Sequence, residues 1–142
     1  MGEITEFPFR PGYSNVGEVV ETGAGVGPEW LGRRVGTHTA HSAYVTCAAD
    51  ALRPIPDAVR DEDATFGTLS EVVMNGLRRG PLAQGESVAV VGLGLLGQLC
   101  VRLCALAGAQ AVYGIELSPQ RLRRMPEGEP FHALSGRAGD FR

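Results

Sequence analysis

The spacing of apolar positions changes near residue 57. Before it, β-branched residues come in short runs broken by glycine and proline. Val16, Val19, Val20 and Thr22 make one such run, ended by the loop Gly23-Ala24-Gly25-Val26-Gly27-Pro28. Residues 30–35 read as a turn leading into a strand, and residues 43–48 as another short strand, before Arg53-Pro54-Ile55-Pro56-Asp57 closes this β-rich part. After it, Asp61, Glu62 and Asp63 stand where a helix N-terminus favours acids, and Phe66, Leu69, Val73, Gly76 and Leu77 follow at helical spacing. Arg78 and Arg79 then complete the last turn before Gly80-Pro81.

From Ser87 the pattern changes again. Ser87–Val91 is a short β-branched run, which predicts a strand buried on both faces of a parallel sheet. Residues 95–107 carry strong polarity only at Gln98 and Arg102, four apart on one stripe, so nearly the whole surface of this helix is available for burial. Gly108 suits its C-cap, and residues 111–115 predict a second buried strand. Ser118-Pro119 starts a further helix, which Pro126 stops after about two turns. Residues 126–142 show neither the helical nor the strand period and read as an irregular tail.

Between the first of these strands and its helix lies Gly92-Leu93-Gly94-Leu95-Leu96-Gly97. In this spacing the first glycine permits a tight turn, the second lets a pyrophosphate approach the backbone, and the third lets helix and strand pack closely. The anion would sit over N–H groups at a helix start. Glu116 follows Gly97 at about the 20-residue distance at which an acid meets the adenosine ribose hydroxyls, so Gly92, Leu93, Gly94, Leu95, Leu96, Gly97 and Glu116 are the candidate cofactor-binding residues. A carboxylate there accepts from a 2′-hydroxyl and repels a 2′-phosphate, which points to NAD; Arg121 and Arg123 nearby keep NADP open.

Composition narrows the classes that remain. At 142 residues, 44% hydrophobic and 20% charged, the chain is of globular character, and its net charge of −3 gives no general attraction to nucleic acid or an anionic membrane. All 13 basic residues are arginine, so Schiff-base and lysine acid–base chemistry are excluded within this chain. Residues 1–10 lack a signal-peptide pattern and no apolar stretch reaches the length of a span, so a cytoplasmic location is expected. Cys47, Cys100 and Cys104 form no C-x-x-C pair and read as reduced, structural residues.

Taken in order, these motifs resemble the medium-chain dehydrogenase/reductase superfamily, the zinc-type alcohol dehydrogenases and their zinc-free, quinone reductase-like relatives. The resemblance runs over about residues 10–124. Its landmarks are the segment from Pro11-Gly12-Tyr13-Ser14 to Glu18-Val19-Val20, the strand Gly32-Arg33-Arg34-Val35, His41-Ser42-Ala43-Tyr44-Val45, Leu52-Arg53-Pro54-Ile55-Pro56, Leu69-Ser70-Glu71 and the glycine turn. It implies an α/β protein: a partial GroES-like β domain over residues 1–57, then an interdomain helix and the opening βαβ of a Rossmann doubly wound parallel sheet over residues 58–125, with residues 126–142 as the tail.

The chain also departs from the family. Gly12-Tyr13-Ser14 stands where zinc-dependent members carry Gly-His-Glu, and the four-cysteine lobe is absent, so no metal site is expected and zinc is left out of the cofactors. Glu71 matches a ligand position of some members, yet one carboxylate cannot hold a catalytic zinc. The resemblance therefore implies an NAD(P)-dependent, zinc-independent oxidoreductase, present as a fragment, exchanging a hydride with a small carbonyl, alcohol or activated alkene. Tyr13 or Ser14 could contact the substrate oxygen, or both could be ordinary strand and loop residues, and the catalytic residues stay unassigned. The rival reading is a non-catalytic truncated remnant, or a partial module that binds a nucleotide or a partner. With two recognisable parallel strands and an apolar helix, little turnover and some self-association through exposed apolar surface are expected.

Overall fold

A computed structural model describes residues 10–80 and 82–140. The chain divides into two units, Met1–Thr68 and Leu69–Arg142. The first is built on an antiparallel sheet and the second on a parallel one.

In the first unit β1 (Asn15–Glu18), β2 (Arg34–Thr37) and β3 (Arg53–Pro54) lie side by side in that order. Val35 and Thr37 of the central strand are buried, and the Thr37 and Thr39 hydroxyls share a 2.6 Å hydrogen bond that satisfies the buried oxygen. Pairing continues past β1, where Val19 N–H donates to Arg33 O at 3.0 Å. Residues 43–48, expected as a strand, form none: they are exposed, with Tyr44 82% accessible. An apolar run of this length needs a partner edge to become a strand, and these residues have none among the described residues.

The helix expected from Asp61 onward is two. A short α1 (Asp61–Ala64) ends where the Thr65 hydroxyl donates to Glu62 O at 2.6 Å, and α2 (Gly67–Arg79) begins after Phe66. A threonine side chain that bonds back to the preceding turn, followed by a glycine, offers the backbone an alternative to continuing. Arg34 fixes the start of α1, donating to Val59 O at 2.6 Å and to the Asp61 carboxylate at 2.6 Å.

In the second unit β4 (Ser87–Val91), β5 (Ala111–Glu116) and β6 (Phe131–Ser135) form a parallel sheet in chain order. Between the first two strands runs α3 (Leu95–Leu106), which contacts both, and Gly108 ends it with φ +93°. A single turn, α4 (Pro119–Leu122), follows β5, shorter than the two turns expected before Pro126. The core is Leu93, Val101, Cys104, Ala109, Val112 and Met125, with Val88, Val90 and Phe131 packed on it. Gly114 leaves the room that the Met125 sulfur and the Leu93 side chain occupy.

Three further expectations change here. The region read as an irregular tail contains β6, registered Val112↔Phe131 to Glu116↔Ser135. Five residues are too few for a period to show, and Pro126, Gly128 and Pro130 around them mask the run; what makes it a strand is the open edge of β5. And β4 is buried on one face only: Val88 and Val90 point into the core, while Ser87, Ala89 and Val91 are exposed. Likewise α3 buries fully only Val101 and Cys104 and leaves Leu95, Leu96 and Leu106 exposed. No helix among the described residues is long and apolar enough to cross a membrane.

Candidate nucleotide-binding site

The end of β4 turns sharply because Gly92 adopts φ +89°, a conformation that a side chain would strain. The turn is tied to the sheet by Gly92 N–H, which donates to Ile115 O at 2.8 Å. Leu93 then sends its side chain into the core, where it is 1% exposed, so what it presents to the turn is backbone. Gly94 caps α3 in extended conformation and offers no side chain to cap the helix start. The intrahelical ladder begins with Gln98 N–H donating to Gly94 O at 2.9 Å, leaving the N–H groups of Leu95, Leu96 and Gly97 ahead of it at the positive end of the helix.

The three glycines answer three different demands. Gly92 supplies the conformation, and a Cβ at Gly97 would run into the Gly92 carbonyl. A Cβ at Gly94, by contrast, would meet nothing within 4 Å, so the space over this residue is open. A cradle of this kind, with open backbone at a helix N-terminus and no capping side chain, has the chemistry that a pyrophosphate needs.

Glu116 closes the site from the end of β5. Its carboxylate accepts from Leu93 N–H at 2.9 Å and Arg121 Nη1 at 3.4 Å on one oxygen, and from Leu117 N–H at 2.9 Å and Ser118 N–H at 3.0 Å on the other. These donors, the Ser118 and Leu93 amides foremost and against the opposing effect of burial, hold its pKa down to about 2. The side chain is charged at any ordinary pH. The structure thus brings Glu116 onto the glycine turn.

Tyr13 and Ser14 lie in the first unit and Glu71 in the second. Tyr13 is 58% exposed, and the Ser14 hydroxyl donates to Thr65 O at 2.8 Å, a structural use. Among the described residues no group of three or more His, Cys, Asp or Glu could hold a metal ion. Cys104 is fully buried, and burial, with Cys100 beside it, pushes its thiol up to about 12.

Sequence reasoning gave no role to the polar stripe of α3. Gln98 Nε2 donates to Arg121 O at 2.8 Å and to Leu93 O at 3.3 Å, while Arg102 donates to Gln98 Oε1 at 3.0 Å and to Arg124 O at 3.0 Å. The signal was present, as two polar residues one turn apart on an otherwise apolar helix.

No protein-family model matches the chain. Individual proteins do. The chain is 29% identical to (R,R)-butanediol dehydrogenase of Bacillus subtilis over 84% of its own length and 42% of that enzyme's. It is 31% identical to D-guloside 3-dehydrogenase of Escherichia coli over 76% of its length and 32% of that enzyme's. The crystal structure of the Bacillus subtilis butanediol dehydrogenase superposes with a TM-score of 0.64 at 27% identity, covering 76% of this chain and 39% of that one. A mycobacterial protein solved with NADPH shares the fold at a TM-score of 0.74 and 23% identity, over 93% of this chain and 43% of that one. The chain spans less than half the length of the relatives it matches.

Proposed function

We infer the function from the family to which the chain belongs, the medium-chain dehydrogenase/reductase superfamily with its zinc-type alcohol dehydrogenase-like members, and propose an NAD(P)-dependent oxidoreductase whose glycine turn holds the cofactor pyrophosphate. The observation that carries this reading is the uncapped start of α3 over an open Gly94, with an ionised Glu116 fastened to the same turn. A nicotinamide cofactor, when bound, supplies or accepts the hydride exchanged with a small carbonyl, alcohol or activated alkene.

The chain's own residues bind and orient. The open space over Gly94 would admit the pyrophosphate to the backbone, and the amides of Leu95, Leu96 and Gly97 would hold it, with the helix dipole behind them. Glu116 reads the adenosine ribose. Its four hydrogen bonds use the roughly four acceptor positions of a carboxylate, so a ribose hydroxyl has to replace one donor. Arg121 is the one to leave: its contact is the longest, its side chain is 57% exposed, and the other three donors are backbone amides. With the carboxylate ionised beside the 2′ position, NAD is preferred to NADP.

Zinc independence is part of the same proposal and rests on the donor set, since no three ligating side chains converge among the described residues. Elemental analysis finding one zinc per chain would overturn that part. Isothermal titration with NAD and NADP tests the rest: NAD binds, NADP binds more weakly, and Glu116→Ala weakens the first and narrows the difference. A wild-type chain that binds neither dinucleotide sinks the cofactor reading.

A further inference from the structure

Gln98 and Glu116 never touch, yet they hold the same two residues from opposite sides. Gln98 Nε2 donates to the carbonyl oxygens of Leu93 and Arg121, at 3.3 and 2.8 Å. The Leu93 amide and the Arg121 guanidinium in turn donate to one oxygen of Glu116, at 2.9 and 3.4 Å. The contacts close a ring, Gln98–Leu93–Glu116–Arg121–Gln98, that joins the glycine turn, the end of β5 and α4. Arg102 stands behind it, donating to the Gln98 side-chain oxygen at 3.0 Å and to Gln98 O at 2.7 Å. With its oxygen so engaged, the Gln98 amide is oriented with its NH2 toward the two carbonyls.

We propose that Gln98 is a positioning residue for cofactor choice: by fixing the Leu93 backbone, whose amide stays on the carboxylate after the ribose displaces the Arg121 guanidinium, it sets where Glu116 stands relative to the 2′ position of a bound adenosine ribose. This rests on the cofactor reading given above and adds to it a residue that no glycine motif contains. The other two donors on the carboxylate among the described residues, Leu117 and Ser118, are its immediate neighbours in the chain. Among the described residues Leu93 and Arg121 alone tie the carboxylate to other elements, and Gln98 binds both.

The test uses 5′-AMP and 2′,5′-ADP as probes of the ribose, with Gln98→Met, which keeps the length and packing of the side chain and removes its donors. In the variant the preference for 5′-AMP over 2′,5′-ADP falls about five-fold, the factor one ordinary hydrogen bond represents. A residue that merely supports the fold would weaken both probes alike. Arg102→Met, which acts only through Gln98 and the Arg124 carbonyl, shifts the ratio in the same direction by less.

Amide hydrogen exchange provides the ligand-free readout. Leu93, Leu117 and Ser118 exchange faster in Gln98→Met, while Val112 and Ile115 in β5 keep the wild-type rate. Equal loss of both nucleotides, or unchanged exchange at the three amides, overturns the inference. A wild-type chain that binds neither probe overturns the cofactor reading instead, and exchange at the three amides then decides whether Gln98 positions Glu116.

Discussion

The Gly92 carbonyl oxygen occupies the place where Gly97 would carry a Cβ. First and third glycines of the turn therefore touch, and the second, Gly94, faces open space. The two neighbours of one motif should fail differently. Gly97→Ala forces helix and turn apart and costs about 1–3 kcal/mol, as overpacking does. Gly94→Ala changes stability by less than about 1 kcal/mol, since its backbone is extended with φ −67°, but on the proposed reading weakens NAD binding about ten-fold or more by filling the space proposed for the pyrophosphate. Urea unfolding and calorimetry on the two variants separate the roles; equal stability loss in both would contradict the assignment.

Acid should uncouple Glu116 from the turn. Its folded pKa of about 2 lies below the ordinary 4.5, so the unfolded chain binds the proton first and stability falls as pH drops through that window. Above about pH 4.5 the contribution is fully present. Glu116→Gln lacks this part of the acid limb and is less stable than wild type at neutral pH, because an amide NH2 then faces backbone donors. Thermal melts from neutral pH to pH about 2 check it; parallel curves for both proteins would disprove it.

In the proposed site Arg121 and the ribose would compete for one carboxylate. Arg121→Ala should leave NAD binding equal or tighter, by up to about five-fold if one weak charge-assisted contact is all that is lost, and should weaken NADP. A loss of NAD affinity in this variant would show that the guanidinium supports the cofactor directly.

Thiol reactivity should follow burial. Cys47 is exposed, whereas Cys104 is fully buried with its thiol raised to about 12. At pH about 8 iodoacetamide modifies Cys47 and spares Cys104 until the chain unfolds. Early alkylation of Cys104, read by mass spectrometry, would mean that α3 is not seated on the sheet.

The glycine turn, α3, β5 and the acid at its end were legible because each has a local signature: a spacing of glycines, a polar stripe, a β-branched run. β6 was not, since its five residues owe their strand to the edge of β5 rather than to any pattern of their own. Residues 43–48 failed in the opposite sense, with strand-forming residues and no edge to receive them. Within the site, the position of Leu93 in the motif says nothing of its buried side chain or of the amide bond it gives Glu116. Spacing locates a carboxylate; it does not count the donors already on it.

In both sheets each strand lies beside the one made just before it, β1-β2-β3 and β4-β5-β6. The second and third strands of each sheet therefore find a partner edge already outside the ribosome. β5 emerges to meet β4 and β6 to meet β5, as β2 meets β1 and β3 meets β2. The assembly can keep pace with synthesis, one strand at a time.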